Sequence, residues 1–582
     1  MTPVKSGDGH RFNRIAKPPG IGRAKLPHCL IQASGRSFFE ISNRETSMAD
    51  GFTRWLQRQP GPTALDQATF VVLLIAAGLG YCLPPVNIDE GAILDFAGRM
   101  LDGQVLYRDL VDVNPPMTFL LNLVPASLTR TTMLPAPAVI TGCVLLVPSL
   151  SCRATLRFVN LMSERTGARW LIAVAVIYVV ILYPGVEFSQ REHLLLLTTL
   201  PYLYNLHCFI ASRTRRSTLA RLLEVAPFAV MVGQKPHFAL VPAVLECVAW
   251  AVARRMPRIE LALFVVLGAA YLIATALFYP VYLERIVPLA EHLYGIASPQ
   301  LVATTVLGSG GFEFVVSIAL LSGVYLLFLR RLWLKLLLIS IAVFYLEAAL
   351  QLKDWSYHFL PARALTILAV VACTATLLAE RPKPTRHLVA RQIVEAIGLS
   401  LFLFIGVGAM FNANPDGVTL PYLAQRGFAN DDWASVRRIV AEYARNGRVM
   451  WLSQYNDGPA DALTYARAHL ISPTMSLWML PALYTSHTVR NGVVVYHDPS
   501  RMSADEKWLW GAISEAFVRQ SPSVIVDVTD DPGMRPGRFD YLEYFSTNPR
   551  FRSYFSSYRQ IYANGAVRVY VRSRLSWSVV RG

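Results

Sequence analysis

About eleven apolar runs, most near the length of a membrane-crossing helix and a short pair at 222–234 and 238–253 split by "GQKPHF", punctuate the first 411 residues and decide what this chain can fold into. Crossing the hydrocarbon core takes roughly 20 mostly apolar residues. Candidate spans run near 68–86, 134–152, 170–184, 193–211, 222–234, 238–253, 259–280, 312–329, 334–350, 358–379 and 391–411. In lipid every backbone polar group must be satisfied inside its own segment, so such runs become helices. Composition agrees. Of 582 residues only 16% are charged and 53% are hydrophobic, against roughly 25% charged in an ordinary soluble protein. The expected fold class is a polytopic α-helical membrane protein. The segment 117–128 is too short to span and reads as a re-entrant or interface-lying helix.

The formal net charge of +16 would suggest nucleic acid in a soluble chain. Here the basic residues sit mainly in short loops, and no basic–aromatic groove pattern accompanies them, so nucleic acid is set aside as a partner. One set of loops holds Arg153, Arg157, Arg165 and Arg169, then Arg213, Arg215, Arg216 and Arg221, with further clusters at 254–258, 330–335 and 381–391. The alternate loops hold only Arg99, Arg108, Arg191, Lys235, Arg285 and Lys353. By the positive-inside rule the first set is cytoplasmic. The N-terminus is then inside, and loop 87–133 and everything after Phe411 are outside, consistent with a multi-pass protein of the inner (plasma) membrane. Residues 1–67 lack an apolar core followed by a cleavage site and read as a disordered cytoplasmic tail rather than a signal peptide; Met48 is a second candidate start. The seven cysteines show no metal-ligand spacing and read as small buried hydrophobes.

Residues 412–582 differ in kind. They are polar, and "DDWASVRRIVAEYARN" (431–446) has helical periodicity, while "RVMWLS" (448–453), "PSVIVDVTD" (522–530) and "AVRVYVRS" (566–573) read as strands. A helix then a strand, twice, predicts a small soluble α/β domain on the outer, periplasmic or extracytoplasmic face.

Ionisable groups at membrane depth are costly and usually face a shared interior or a water-filled cavity. On the predicted outer side stand Asp89, Glu90 and Asp112 in the first loop, Arg191 and His193 in "VEFSQREH", Lys235 and His237 in "GQKPHF", and Tyr357 and His358 in "KDWSYHFLP". Such a bowl suits an anionic headgroup carried by a lipid, with a base nearby. Bland readings stand beside the sharp ones: Arg191 as a structural ion pair, His237 and His358 as interfacial residues, Lys235 snorkelling to headgroups, and Asp95, Asp102 and Asp109 as a solvated helix face. Asp89 and Glu90 together could also hold a divalent metal, but no third ligand is evident.

The run "DEGAILDFAGRML…VLYRDLVDVNPP" resembles the first outer loop of the polyprenyl-phosphate-sugar-dependent glycosyltransferases, the multi-span superfamily of the glycosyltransferase C-type that includes protein O-mannosyltransferases and the lipid A aminoarabinose transferase. The matching features are Asp89-Glu90, Ala97 to Leu101, Tyr107-Arg108-Asp109 and Pro115-Pro116; "REHLLLL" and "YHFLPA" resemble later segments. The resemblance covers roughly 68–411. It implies helices around an outward cavity and a polyprenyl-phosphate sugar as donor substrate, with Asp89 as the catalytic aspartate. Some members carry a lysine before the Pro-Pro pair that touches the donor phosphate; here Asn114 stands there, which leaves that contact to other cations.

The residues read the same way on chemical grounds. A hydroxyl acceptor must lose its proton as it attacks the anomeric carbon, and a positioned carboxylate can take it. Asp89 is the expected base, with Glu90 orienting it or the acceptor. The departing phosphate needs cationic stabilisation in a low-dielectric site, expected from Lys235, His358, Arg191, His237 and Tyr357. Arg108, Asp109 and Asp112 are expected to shape the loop or meet the acceptor, which could be glycan, lipid or protein. No cofactor is required. Two other readings stay open: a transporter or flippase of a lipid-linked or anionic solute, and a non-catalytic glycan-assembly protein of the same fold.

Overall fold

Almost every predicted apolar run is a helix. The computed structural model describes residues 62–573 apart from 133, 212–215, 255–257, 295–308, 328, 352–354, 380–432, 457–458, 486 and 530–536. The expected N-terminal tail up to residue 61, the predicted span 391–411 and the boundary near 412 lie outside the described residues. The apolar part runs α1 (Ala64–Gly78), α2 (Ile88–Leu101), α3 (Pro116–Thr131), α4 (Ala136–Leu150), α5 (Cys152–Met162), α6 (Thr166–Ile177), α7 (Arg191–Ile210), α8 (Thr218–Val232), α9 (Leu240–Ala253), α10 (Ile259–Phe278), α11 (Val287–Tyr294), α12 (Ser309–Leu327), α13 (Leu332–Leu350) and α14 (Leu360–Ala379).

Among the described residues, five helical stretches are long and apolar enough to cross a membrane: Ala64–Cys82, Pro236–Ala253, Ile259–Phe278, Leu332–Leu350 and Tyr357–Ala379. The pair α4 and α5, bent by 54°, makes a sixth if read as one broken span. Of the other predicted spans, 134–152, 170–184, 193–211 and 222–234 coincide with helices that are shorter, bent or more polar, and 312–329 falls on α12. In α7 the polarity has a reason: nearly all of its residues are enclosed by neighbouring helices, so it need not be apolar all round. Helix α10 shows the solvent most plainly. Its buried residues are Glu260 and Thr275, while Val265, Val266, Leu272, Ile273, Leu277 and Phe278 are exposed. Polar inside and apolar outside is the reverse of a water-facing helix, and an exposed apolar stripe of this kind belongs in lipid. The chain is a membrane protein.

About 20 Å along α7 from Arg191, at a rise of 1.5 Å per residue, the bundle buries a second charged network. The Arg258 guanidinium donates to Glu246 Oε2 at 2.8 Å and to Asn205 Oδ1 at 2.6 Å, and Tyr202 donates to Glu246 Oε1 at 3.0 Å. Arg221 forks onto Glu260 through two bonds of 2.7 Å. Asn205 also reaches Glu224, which pairs with Arg216. This ties the second half of α7 to α8, α9 and α10.

The C-terminal part is a five-stranded sheet with helices on both faces. The strands are β1 (Arg448–Leu452), β2 (His469–Leu470), β5 (Val524–Val528), β6 (Tyr558–Ala563) and β7 (Val567–Arg572), in the order β2-β1-β5-β7-β6. β2, β1 and β5 are parallel, and β7 and β6 close the sheet antiparallel. A separate small ribbon pairs β3 (Val489–Arg490) with β4 (Val493–Val494). Helices α15 (Ala434–Tyr443) and α16 (Pro459–Ala466) pack on one face around Val449, Trp451, Val524 and Val526. Helix α17 (Ala504–Gln520) packs on the other with Met450, Leu452 and Ile525. The three predicted strands fall on β1, β5 and β7; β2 and β6 were not legible, being two residues long and an exposed edge respectively.

Arg258→Ala should lower stability by about 3–5 kcal/mol, because it leaves Glu246 buried and unpaired. A drop in the thermal midpoint of the detergent-solubilised protein checks this; an unchanged midpoint contradicts it.

Candidate functional site

Helix α2 begins the site. The Asn87 side chain caps it, accepting the Glu90 N–H at 3.1 Å, and its amide donates to Val186 O at 2.8 Å. An Asn cap with two acids in the first turn is favourable at the positive end of a helix. Asp89 and Glu90 therefore leave one turn of helix on neighbouring sides and meet different surroundings. The Asp89 side chain is 29% exposed. Glu90 is buried, and burial pushes its carboxyl up to about 8; adjacent Asp89 adds to the rise, while Arg191 and Asn122 oppose it.

Arg191, at the start of α7, reaches across to this turn. Its Nη2 donates to Asp89 Oδ2 at 2.8 Å, and Gln190 Nε2 donates to the same oxygen at 3.1 Å. Its Nη1 pairs with Asn114 Oδ1. Asn114 is itself held by Asp112, whose Oδ1 accepts the Asn114 N–H at 2.8 Å and its side-chain amide at 2.7 Å. Burial raises the Asp112 carboxyl above the usual range. The chain Asp112–Asn114–Arg191–Asp89 thus links the two ends of the first loop, and Asp89 Oδ1 accepts no hydrogen bond among the described residues.

The other candidate cations lie beside Arg191, and each comes with a carboxylate. Lys235 pairs with Glu192, and its ammonium stands 5.2 Å from the Tyr357 ring centre. His358 Nε2 is 3.9 Å from Glu192 Oε1, and His237 Nε2 is 3.2 Å from Glu347 Oε1. Glu192 and Glu347 are fully buried. In this bowl each candidate cation stands against a carboxylate. His193 does not join it. Its Nδ1 accepts the Ser189 N–H at 2.9 Å and its Nε2 faces Val180 O at 2.7 Å, the pattern of a neutral ring locking the turn before α7.

Arg108 and Asp109 are not brought to this cluster. They pair with each other at 3.0 Å on an exposed turn, and Asp109 also accepts the Val105 N–H. The expectation that Asp95 belongs to a solvated face is corrected. Asp95 is buried, 2.9 Å from His469 Nδ1 and 3.6 Å from Arg99, because the C-terminal part covers this side of α2. Asp102 forks with Arg130 at 2.8 and 2.7 Å, which depresses its carboxyl below the usual range.

Sequence reasoning passed over Gln190, Asn114 as a structural link, and Glu347. The last carried a signal: a lone carboxylate inside "ISIAVFYLEAALQL" is expensive in a span and should face a partner. Among the described residues no group of three or more His, Cys, Asp and Glu side chains could hold a metal ion. Chemically, the site offers a carboxylate with one oxygen clamped and one open, next to a guanidinium and an ammonium.

No family profile matches the chain, and no curated protein is similar to it in sequence. Similarity appears in the fold. ArnT from Cupriavidus metallidurans, whose crystal structure was solved bound to undecaprenyl phosphate, aligns over 88% of this chain and 98% of its own at 12% identity, with a TM-score of 0.51. An oligosaccharyltransferase from Archaeoglobus fulgidus, solved with zinc and sulfate, aligns over 86% of this chain and 73% of its own at 11% identity, with a TM-score of 0.38. The chain shares its fold with ArnT.

The raised Glu90 carboxyl sets a pH dependence with a definite sign. The folded state holds this proton more tightly than the unfolded state, so its contribution is complete below the unfolded value, ~4.3, and is lost as pH rises through about 8. Glu90→Gln should remove that slope. Thermal midpoints of the variant and the parent should converge near pH 4 and separate, with the variant higher, up to pH 8; parallel curves would refute the assignment.

Proposed function

We propose that this chain, built on the fold it shares with ArnT, is a membrane glycosyltransferase that moves a sugar from a polyprenyl-phosphate donor to a hydroxyl acceptor. The observation that carries this reading is the Asp89 carboxylate, fixed at one oxygen by Arg191 and Gln190 and open at the other. The undecaprenyl phosphate bound to ArnT supplies the class of donor.

In this mechanism Asp89 Oδ1 takes the proton of the acceptor hydroxyl. The acceptor oxygen attacks the anomeric carbon as the bond from that carbon to the phosphate oxygen breaks. A single base opposite the leaving group gives inversion. The phosphate departs as an anion already poised to leave, and Arg191 and Lys235 offset its charge, with Tyr357, His358 and His237 around them. Lys235 must share its ammonium between Glu192 and the phosphate. Glu90 orients Asp89 by anchoring the helical turn that both belong to. Asp112 acts through Asn114 on Arg191, and Arg108 and Asp109 shape the exposed turn of the loop near the acceptor. The topology that goes with this chemistry has a cytoplasmic tail over 1–67, a membrane domain over 68–411 with the site on the outer face, and an extracytoplasmic α/β domain over 412–582.

Release of polyprenyl phosphate from a panel of polyprenyl-phosphate sugars tests the proposal, using purified protein in lipid nanodiscs with an envelope extract as acceptor. Asp89→Asn keeps the shape and removes the base, so release should fall by roughly 10²–10⁴-fold while donor binding stays. No release from folded parent protein with any donor, or normal release from the variant, would overturn it. Lys235→Ala should raise the donor KM far more than the acceptor KM; an equal rise in both would make Lys235 structural.

A further inference from the structure

The segment 459–473 of the C-terminal part grips the first loop at several points. Asp461, in the first turn of α16, accepts the Val86 N–H at 3.0 Å. Val86 directly precedes Asn87, the residue that caps α2. One turn on, Gly91 faces Ala460 so closely that a Cβ on Gly91 would come within 2.8 Å of the Ala460 Cβ. Further along, His469 Nδ1 meets Asp95 Oδ1 at 2.9 Å, Arg99 donates to Ser472 O at 2.8 Å, and the Val111 N–H donates to Pro473 O at 2.6 Å.

These contacts join residues about 375 apart in sequence, and both sides are stiff. α2 is a capped, buried helix. His469 lies in the edge strand β2, parallel to its neighbour β1, and α16 packs beneath the same sheet. A helix held at its cap, its first turn and its middle by another rigid body cannot rotate or slide without breaking several contacts at once. Asp89 is the second residue of that helix, between the Val86 and Gly91 contacts.

We infer that Asp461 is a positioning residue for Asp89: through the Val86 amide it fixes the entry to α2, and with Ala460 it sets the register at which Asp89 meets Arg191. The inference rests on Asp89 being the base, as proposed above. Asp461 touches no reacting atom in this scheme. It acts through the backbone, so its oxygen matters and its charge does not.

Three full-length proteins decide it: the parent, Asp461→Ala and Asp461→Asn. Amide exchange over residues 87–91 should rise in Asp461→Ala and stay at the parent level in Asp461→Asn, with exchange in β5 unchanged in both. Turnover of the polyprenyl-phosphate sugar used by the parent should show kcat lowered about 10- to 100-fold in Asp461→Ala, the scale of a misplacement near 1 Å. Donor KM should stay near the parent value, and Asp461→Asn should restore kcat. Unchanged exchange at 87–91 in Asp461→Ala overturns the inference, and so does raised exchange with undiminished kcat. A global rise that includes β5 makes Asp461 a folding residue and also overturns it. A parent without turnover on any donor is the separate failure of the transferase reading, and the exchange experiment still reads whether Asp461 holds the turn.

Discussion

The Arg191 guanidinium is the interaction on which the site is built. It is 5% exposed, and a buried cation is tolerated only when its partners return what desolvation takes away. They come from three places: Asp89 on α2, Asn114 at the end of the first loop, and neighbouring Gln190. Remove the guanidinium and Asp89 loses its strongest partner, Asn114 loses its acceptor role, and the loop closed by Asp112 has nothing to close onto. Arginine suits this task because its planar fork can meet two acceptors at once, which an ammonium cannot do with the same geometry.

The same economy governs the rest of the membrane part. Charges are kept inside the bundle and neutralised in pairs: Lys235 with Glu192, Arg258 with Glu246, Arg221 with Glu260. The outward surface is left to leucine, valine and isoleucine, most plainly on α10. One network sits at the Asp89 end of α7 and the other well along the same helix. The difference between them is informative. Arg258 is saturated by Glu246 and Asn205, whereas Asp89 is bonded at one oxygen and partly exposed. The saturated network is a structural pin, and the half-used carboxylate is where the proposed chemistry is placed.

Much of this was legible in the sequence, and for physical reasons. Apolar runs announce helices because lipid permits little else, so the segments from 68–86 to 358–379 fell on helices. The Asp-Glu pair stood out because nothing structural required two acids there. What sequence could not show was pairing. Lys235 and Glu192 lie in different segments, and only the fold reveals that the lysine is already engaged. Asp95 looked solvated because α2 is amphipathic by pattern; the surface covering it comes from His469, in a strand of two residues with no detectable periodicity. Asn114 read as a lost lysine, while its place in the structure is a link between Asp112 and Arg191.

The two adjacent acids also resolve a difficulty in electrostatics. If the site takes an anionic phosphate, as proposed, two carboxylates side by side would serve it badly, since each added negative charge opposes the ligand. The structure separates them by burial. Asp89 is ion-paired at a partly open edge, and Glu90, turned inward, has its carboxyl pushed up to about 8. The inward carboxyl gives up its proton less readily than an ordinary glutamate, which lessens the charge the doublet adds. Neighbouring side chains placed in different surroundings can take different roles, and in the proposed mechanism Asp89 is the base and Glu90 its support. Asn87 makes the separation possible: by capping α2 it fixes which of the two consecutive side chains faces the edge and which faces the core.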